Sequence, residues 1–213
     1  MENTTIAAHL RPDVPLTILS DLSFDSVRKL IKNKGLRFAD FWFIELSGRP
    51  WRITIPTDAV TESLFSSGLP LDGQPVGGSW NGVFLLHPQA DACYVDPAAS
   101  APTLAMICDV LDPATRRPLI SEPRHVLKSA QRIVEERLGA TVTVGIEPEF
   151  FLLDGLTQPV SEGAVWDFLR QFGLALGEAD IRVDFFRTGP SIGQGRVQMR
   201  AGPGIQLADR VML

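Results

Sequence analysis

Between Arg37 and Asp112 no apolar run goes far before a proline or a glycine stops it. Proline removes a backbone donor and blocks a helix interior, so this stretch can supply only short strands and the turns between them. RFADFWFIEL and RPWRITIP read as two strands joined at Ser47 and Gly48, and FLLHP, ACYVDP and TLAMICDVLDP as three more apolar runs ended by prolines. Residues 68–82 hold glycine at 68, 73, 77, 78 and 82 with Pro70 and Pro75, a density that predicts an extended loop. Before the strands, DLSFDSVRKLIKNKG places Phe24, Val27, Leu30 and Ile31 at helical spacing. Ser23 or Asp21 serves as its cap and Gly35 as its stop. The first 20 residues, with Pro12 and Pro15, read as a loose arm or an interface strand. One helix cradled by several short strands is the expectation up to about residue 112.

The pattern then changes. SEPRHVLKSAQRIVEERLG predicts a helix with Pro123 in its first turn, a stripe of Val126, Ala130, Ile133, Val134 and Leu138, and Gly139 at its end. TVTVGIEPEFFLLD reads as a continuous β run, SEGAVWDFLRQFGLALGEAD as a helix, and DIRVDFF and GRVQMR as strands. PGIQLADRVML opens a helix of marginal length. Its apolar end wants cover, either elsewhere in the fold or on another chain. The fold class is α+β, with an arm at 1–20, one domain at 21–112 and a second at 113–213.

Composition removes several classes of function. The 213 residues carry 20 basic and 25 acidic side chains, a net charge of −5 spread along the chain, which argues against nucleic acid as a partner. No apolar stretch is long enough for a membrane span, and the N-terminus lacks the pattern of a secretory signal, so the expected setting is cytoplasmic. Cys93 and Cys108 read as buried thiols in a reducing compartment, with a disulfide or metal role as the alternative. His9, His87 and His125 have no ligand spacing and read as structural or surface residues.

Glu147 and Glu149 are the first candidates for chemistry. At i and i+2 on a strand, both carboxylates point to one face. Val144, Ile146, Phe150, Phe151 and Leu152 around them argue against a solvent-washed edge. Like charges brought together need cations or hydrogen bonds, so the pair reads as metal ligands or a cation-binding strand, or else both face water.

Five segments, taken in order, resemble one family. GIEPEFFLLD is similar to the Glu-Pro-Glu-Phe-Phe strand of the glutamine synthetases, the bacterial type I branch in particular. LPLDGQPVGGSW resembles their Asp-Gly-Ser-Ser-Ile-Gly-Gly loop, YVDPAASAPTLAMICDVLDP their Asp-Pro, Thr-Leu and Cys-Asp-Val run, and EPRHVLKSA their Asp-Pro-Arg helix start. GQGRVQMRAGPGIQLADRVML follows their Gly-Gln-x-Glu strand and Ala-Asp helix. The resemblance implies an N-terminal β-grasp domain followed by an incomplete catalytic domain, a half-barrel of strands with helices. It also implies chemistry: joining ammonia or another amine to the side-chain carboxylate of glutamate through a γ-glutamyl phosphate, with ATP and Mg²⁺ or Mn²⁺. Asp72 then matches the loop aspartate that binds and deprotonates ammonium, in a site shared with the neighbouring subunit. Glu147 and Glu149 match ligands of two different metal ions, and Gln194 matches the glutamine of Gly-Gln-x-Glu.

The departures fall on the chemistry. FFRTG stands where the family has His-His-Glu, with Thr188 in the glutamate's place, and Arg196 stands where Gly-Gln-x-Glu has its carboxylate. A guanidinium repels a dication, so Arg196 is expected to pair with Glu147 or Glu149 and replace the metal. Gln74 and Pro75 replace the loop serines, leaving Asp72 a turn residue whose carboxylate caps nearby N–H groups. Trp80 reads as a subunit contact or as core. The resemblance ends after the Ala-Asp helix, which implies a C-terminally truncated, degenerate member lacking later metal ligands and phosphate-holding arginines.

The expectation is a non-catalytic subunit or regulator that forms a homo-oligomer or joins a synthetase-like chain, with no cofactor of its own. The alternatives are one half of a split ATP-dependent ligase, using Mg²⁺ or Mn²⁺ in a complex, and a carboxylate- or phosphate-binding module built on Arg187, Arg196 and Arg200.

Overall fold

The computed structural model describes residues 23–73, 82–96, 99–155, 157–178 and 181–204. Helix α1, Phe24–Lys34, starts at Ser23, whose extended backbone and Oγ receive the Ser26 N–H at 3.3 Å. It stops at Gly35, held at φ 60°, a left-handed conformation that costs a Cβ-bearing residue free energy. Its apolar face buries Val27 and Leu30 against a five-stranded sheet.

That sheet runs in the order β2 (Pro50–Pro56), β1 (Phe38–Ile44), β5 (Thr103–Leu111), β4 (Val83–Val95) and β3 (Leu69–Asp72). The β1–β5 pair is parallel and the others are antiparallel. Central β5 is buried throughout except at Asp109, as expected for a strand covered on both faces. The larger core gathers Phe41, Phe43, Leu86, Leu104, Met106 and Cys108 beneath α1. Both cysteines are buried.

Three features differ from the sequence expectation. Leu69–Asp72, read as loop, is a strand paired with β4, because its alternating residues fit a sheet edge even beside glycines. FLLHP and ACYVDP belong to one long strand whose register shifts between Pro88 and Cys93. An irregularity there accommodates the donor that Pro88 lacks. Helix α2, Glu62–Ser67, was not foreseen, since six residues are too few to show a period. Arg116, at φ 56°, reaches back to the Ser66 and Ser67 carbonyls at 2.8 and 3.1 Å and caps that helix.

Helix α3, Pro123–Leu138, begins at the fully buried Glu122. Its foreseen stripe is not the covered face: Val126, Ile133 and Leu138 are exposed, whereas Arg124 and Gln131 are buried. The cause is electrostatic. Asp109 on β5 draws Lys128 Nζ to 2.6 Å and Arg124 Nε to 3.0 Å, turning the polar side of α3 onto the sheet.

A smaller sheet follows in the order β10 (Val183–Thr188), β11 (Gln194–Met199), β7 (Glu149–Phe151), with helix α4, Glu162–Glu178, across one face. Val165, Leu169, Leu176, Val197 and Met199 form its core, which shares no residue with the first. The expected run 141–154 is broken into β6 (Thr143–Val144), β7 and β8 (Leu153–Asp154) because Pro148 interrupts donation. The chain nonetheless stays against β11, since the Ile146 and Pro148 carbonyls accept from Met199 and Val197 N–H at 3.0 and 3.1 Å. Two short pairings, β6 with β12 (Gly202–Pro203) and β8 with β9 (Gln158–Pro159), complete the described elements. No described helix is long and apolar enough to cross a membrane. The expected arm at 1–20, Trp80 and most of the C-terminal helix fall outside the described residues.

Candidate functional site

Exposure alternates residue by residue from 145 to 151. Ile146, Pro148 and Phe150 turn toward α4, while Glu147, Glu149 and Phe151 face outward. The two carboxylates thus share a face, and β7 pairs only with β11 among the described residues. This corrects the expectation from their apolar neighbours: Ile146, Phe150 and Leu152 pack on the opposite face, Phe151 shares the glutamates' side, and that side is open.

The register decides what the glutamates meet. Arg196 on β11 lies opposite Glu149 on one side and opposite Arg187 of β10 on the other. Arg196 Nη2 sits 2.6 Å from Glu149 Oε2, and Arg187 Nη2 sits 2.8 Å from Glu147 Oε1. Two guanidinium groups opposite one another repel. A glutamate on each offsets that penalty, giving a row of paired charges on this face. Glu149 Oε1 also accepts from the Gln194 side-chain amide. Gln194 is buried, and its Oε1 accepts from the Ser191 N–H at 3.1 Å. Gly195 lies between, opposite Phe150, where an added Cβ would meet the ring at 2.9 Å. Arg200 bonds Asp184 at 2.7 Å, so all three arginines of the cluster have carboxylate partners.

Thr188 donates its hydroxyl to Glu162 Oε1 at 3.3 Å. Glu162, Thr188, Ser191 and Gln194 line a cleft of about 370 Å³ beside the charge row. Glu162 was not anticipated, because 26 residues separate it from Thr188. Its only signal was the Ser-Glu-Gly opening of α4. Asp72 stands on the other sheet, at the end of β3 opposite Val83, with Gly73 N–H bonded to the Gly82 carbonyl at 2.8 Å. It is not carried by the sheet that holds the glutamates.

Could this face hold a divalent ion or ATP? Magnesium takes near-octahedral oxygen donors. Both oxygens of Glu149 and one of Glu147 are already engaged, and a positive charge stands beside each carboxylate. Among the described residues no three His, Cys, Asp or Glu side chains converge. The cleft alongside carries the Glu162 carboxylate, which repels phosphate. On their own these residues do not fit the metal or the nucleotide.

A second polar cluster joins the two parts of the chain. Asp109, Arg124, Lys128 and Gln89 connect β4, β5 and α3. Beside them Glu122 accepts from the Arg124 and His125 N–H groups. Burial pushes the Glu122 carboxyl above its ordinary value, and those two bonds pull it back in part. Burial likewise lowers the His87 pKa.

Residues 35–113 match the family model described as glutamine synthetase, beta-Grasp domain. The chain is 33% identical over 165 residues to a 3-hydroxylaminophenol mutase of Cupriavidus pinatubonensis, covering 70% of this chain and 35% of the relative. It is 33% identical over 132 residues to a glutamine synthetase of Pseudomonas aeruginosa, covering 59% and 28%. With a glutamine synthetase of Escherichia coli K12 it shares 31% over 140 residues, covering 63% and 30%. Among solved structures, Plasmodium falciparum glutamine synthetase superposes with a TM-score of 0.71 at 17% identity, covering 90% of this chain and 47% of that one. A structure described as apo GmaS without ligand gives 0.76 at 16% identity, covering 91% and 48%. The chain therefore spans about a third of the length of the curated relatives it matches.

Proposed function

Because the chain belongs to the glutamine synthetase family, we propose that it works as a non-catalytic synthetase-like subunit or regulator, assembling with itself or with a homologous chain. The observation that carries this reading is Arg196. It occupies the position where the family's Gly-Gln-x-Glu strand has a carboxylate, and it neutralises Glu149 at 2.6 Å. Thr188, standing where a second carboxylate would be expected, bonds Glu162 instead. The buried thiols of Cys93 and Cys108 support a reducing, cytoplasmic setting.

Mixing the purified chain with full-length synthetases and following both gel filtration and ligase turnover tests the proposal. The expected result is comigration with a partner, or self-association, and no glutamate- and amine-dependent ADP release by the chain alone. Appreciable ligase turnover by the isolated chain would overturn it, as would a monomer that joins no candidate.

A second reading has its own support. Residues 35–113 match the β-grasp family model, a span that includes Asp72, and this favours one half of a split ATP-dependent glutamate–ammonia or glutamate–amine ligase. Another chain would then have to supply the missing donors for Mg²⁺ or Mn²⁺ and displace both arginines from Glu147 and Glu149. Restored ADP release by a reconstituted pair, lost on Asp72→Ala, would select this reading. A module holding carboxylate or phosphate through Arg187, Arg196 and Arg200 is disfavoured, since each already holds a carboxylate of its own chain.

A further inference from the structure

The edges of the two larger sheets are not alike. In the five-stranded sheet, edge strand β2 is bounded by Pro50 and Pro56, and edge strand β3 carries Pro70. In the smaller sheet, β7 is three residues long and preceded by Pro148. Proline and shortness are the usual means of blunting an edge against pairing with another chain. Strand β10 has neither, and the irregularity in its register on β11, between Val183 and Phe185, leaves Phe185–Thr188 regularly paired. It runs for six residues, Val-Asp-Phe-Phe-Arg-Thr, and among the described residues it pairs only with β11.

The direction of its free hydrogen-bonding groups follows from the ladder. Gly189 N–H donates across to the Gln194 carbonyl at 3.0 Å, whereas Val197 and Met199 donate away from β10, toward Pro148 and Ile146. Residues 187 and 185 are therefore the ones that bond β11, opposite 196 and 198. By the alternation of an antiparallel ladder, the N–H and C=O groups of Phe186 and Thr188 point outward.

We infer that β10 is the seam of a homodimer, in which a second copy of this chain adds its own β10 antiparallel to the first. The surface deepens the assembly reading above and rests on it only in requiring a second chain. Centring the two-fold axis on Phe186 makes the outward groups meet in complementary pairs. Phe186 faces its own copy, and Phe185 faces Arg187 of the other copy twice; Asp184 lies in the register shift and takes no part in the pairing. Phe185, 48% exposed, thereby gains a guanidinium over its ring. Moving the register one step toward the C-terminus would oppose two copies of Arg187, which repel. On the helix face, Gly173 and Gly177 leave a cleft of about 360 Å³ along β10, bordered by Ile181, Val183 and Phe186. An incoming Phe186 falls beside it. A Cβ at Gly173 would meet the ring of Phe186 at 2.5 Å, so a larger residue there would have to displace that ring.

Analytical ultracentrifugation of the full chain over a wide concentration range tests the seam. The wild type is expected to pass from one to two chain masses as concentration rises. Phe185→Lys sets two like charges against Arg187, whereas Phe185→Glu sets two opposite ones. The lysine variant is expected to weaken the dimer roughly tenfold or more, because each change enters the seam twice, and the glutamate variant to keep it. Thr188→Pro removes an outward N–H together with the hydroxyl bond to Glu162, and Thr188→Val removes the hydroxyl alone. The proline variant, but not the valine variant, is expected to abolish dimerisation with β10 still bonded to β11, seen as unchanged hydrogen exchange at Arg187. A dimer indifferent to Phe185→Lys and Thr188→Pro overturns the seam and leaves the assembly reading standing. Equal weakening by lysine and glutamate also overturns it. A wild type monomeric at every concentration that still comigrates with a synthetase overturns the seam alone. One that joins nothing removes both.

Discussion

Arg196 and Glu149 face one another across β11 and β7 with 2.6 Å between their polar atoms, yet neither is fully withdrawn from water. Their side chains are 27% and 37% exposed, so solvent screening limits the pair to about 1 kcal/mol. Its larger effect is on chemistry, because it places positive charge where a dication would need oxygen. Arg196→Glu turns the pair into repulsion and adds a third carboxylate beside Glu147 and Glu149. The variant is expected to lose about 1–3 kcal/mol in the presence of a chelator. Millimolar Mg²⁺ or Mn²⁺ should restore part of that loss, while the wild type stays unchanged by the ion. Thermal melts with and without metal check this, and an equal loss under both conditions would show that the face no longer has the shape of a metal site.

At the scale of elements, α3 is fastened to the grasp sheet by charge rather than by its apolar stripe. Glu122 caps it from a fully buried position. Burial raises its folded pKa above the ordinary 4.5, so the folded state binds this proton more readily than the unfolded chain does. The stability contributed by that proton is fully present below about pH 4.5 and is lost as pH rises through the raised folded value. Glu122→Gln keeps the shape and loses the titration. The melting temperature of wild type minus that of Glu122→Gln is therefore expected to fall as pH rises above the ordinary carboxyl value of 4.5. A difference that instead grows with pH would mean that the Arg124 and His125 N–H bonds to the charged carboxylate outweigh its burial.

At the scale of the molecule, two separate cores among the described residues carry the stability. The first joins sixteen buried residues beneath α1, and the second joins six beneath α4. A core with so much less buried apolar surface has less to offset the entropy of ordering its strands. The β7–β11–β10 unit is expected to open at lower denaturant than the grasp sheet. Trp166 packs against the smaller core and Trp51 against the larger, so variants retaining one tryptophan each report the two units separately by fluorescence. Urea transitions should appear earlier for Trp166, and coincident transitions would show that the Asp109–Lys128–Arg124 cluster couples both units into one.

The sequence by itself determined α1 from Ser23 to Gly35, the β1–β2 hairpin at Ser47 and Gly48, the extent of α3 and α4, and the shared face of Glu147 and Glu149. Each of these follows from caps, turn formers or periodicity, which act between residues close along the chain. Tertiary structure alone decided that β5 runs parallel beside β1, that α3 lies on its charged side and that Pro148 divides a β run without detaching it. It also chose Glu149 for Arg196, Glu147 for Arg187 and Glu162 for Thr188. Those partners lie 26 to 47 residues apart, so the register of β7, β11 and β10 brings them together and no local pattern encodes it. Substituting arginine at 196 announced that the charge of the site had changed sign; which carboxylate would answer it depended on which strand lay alongside.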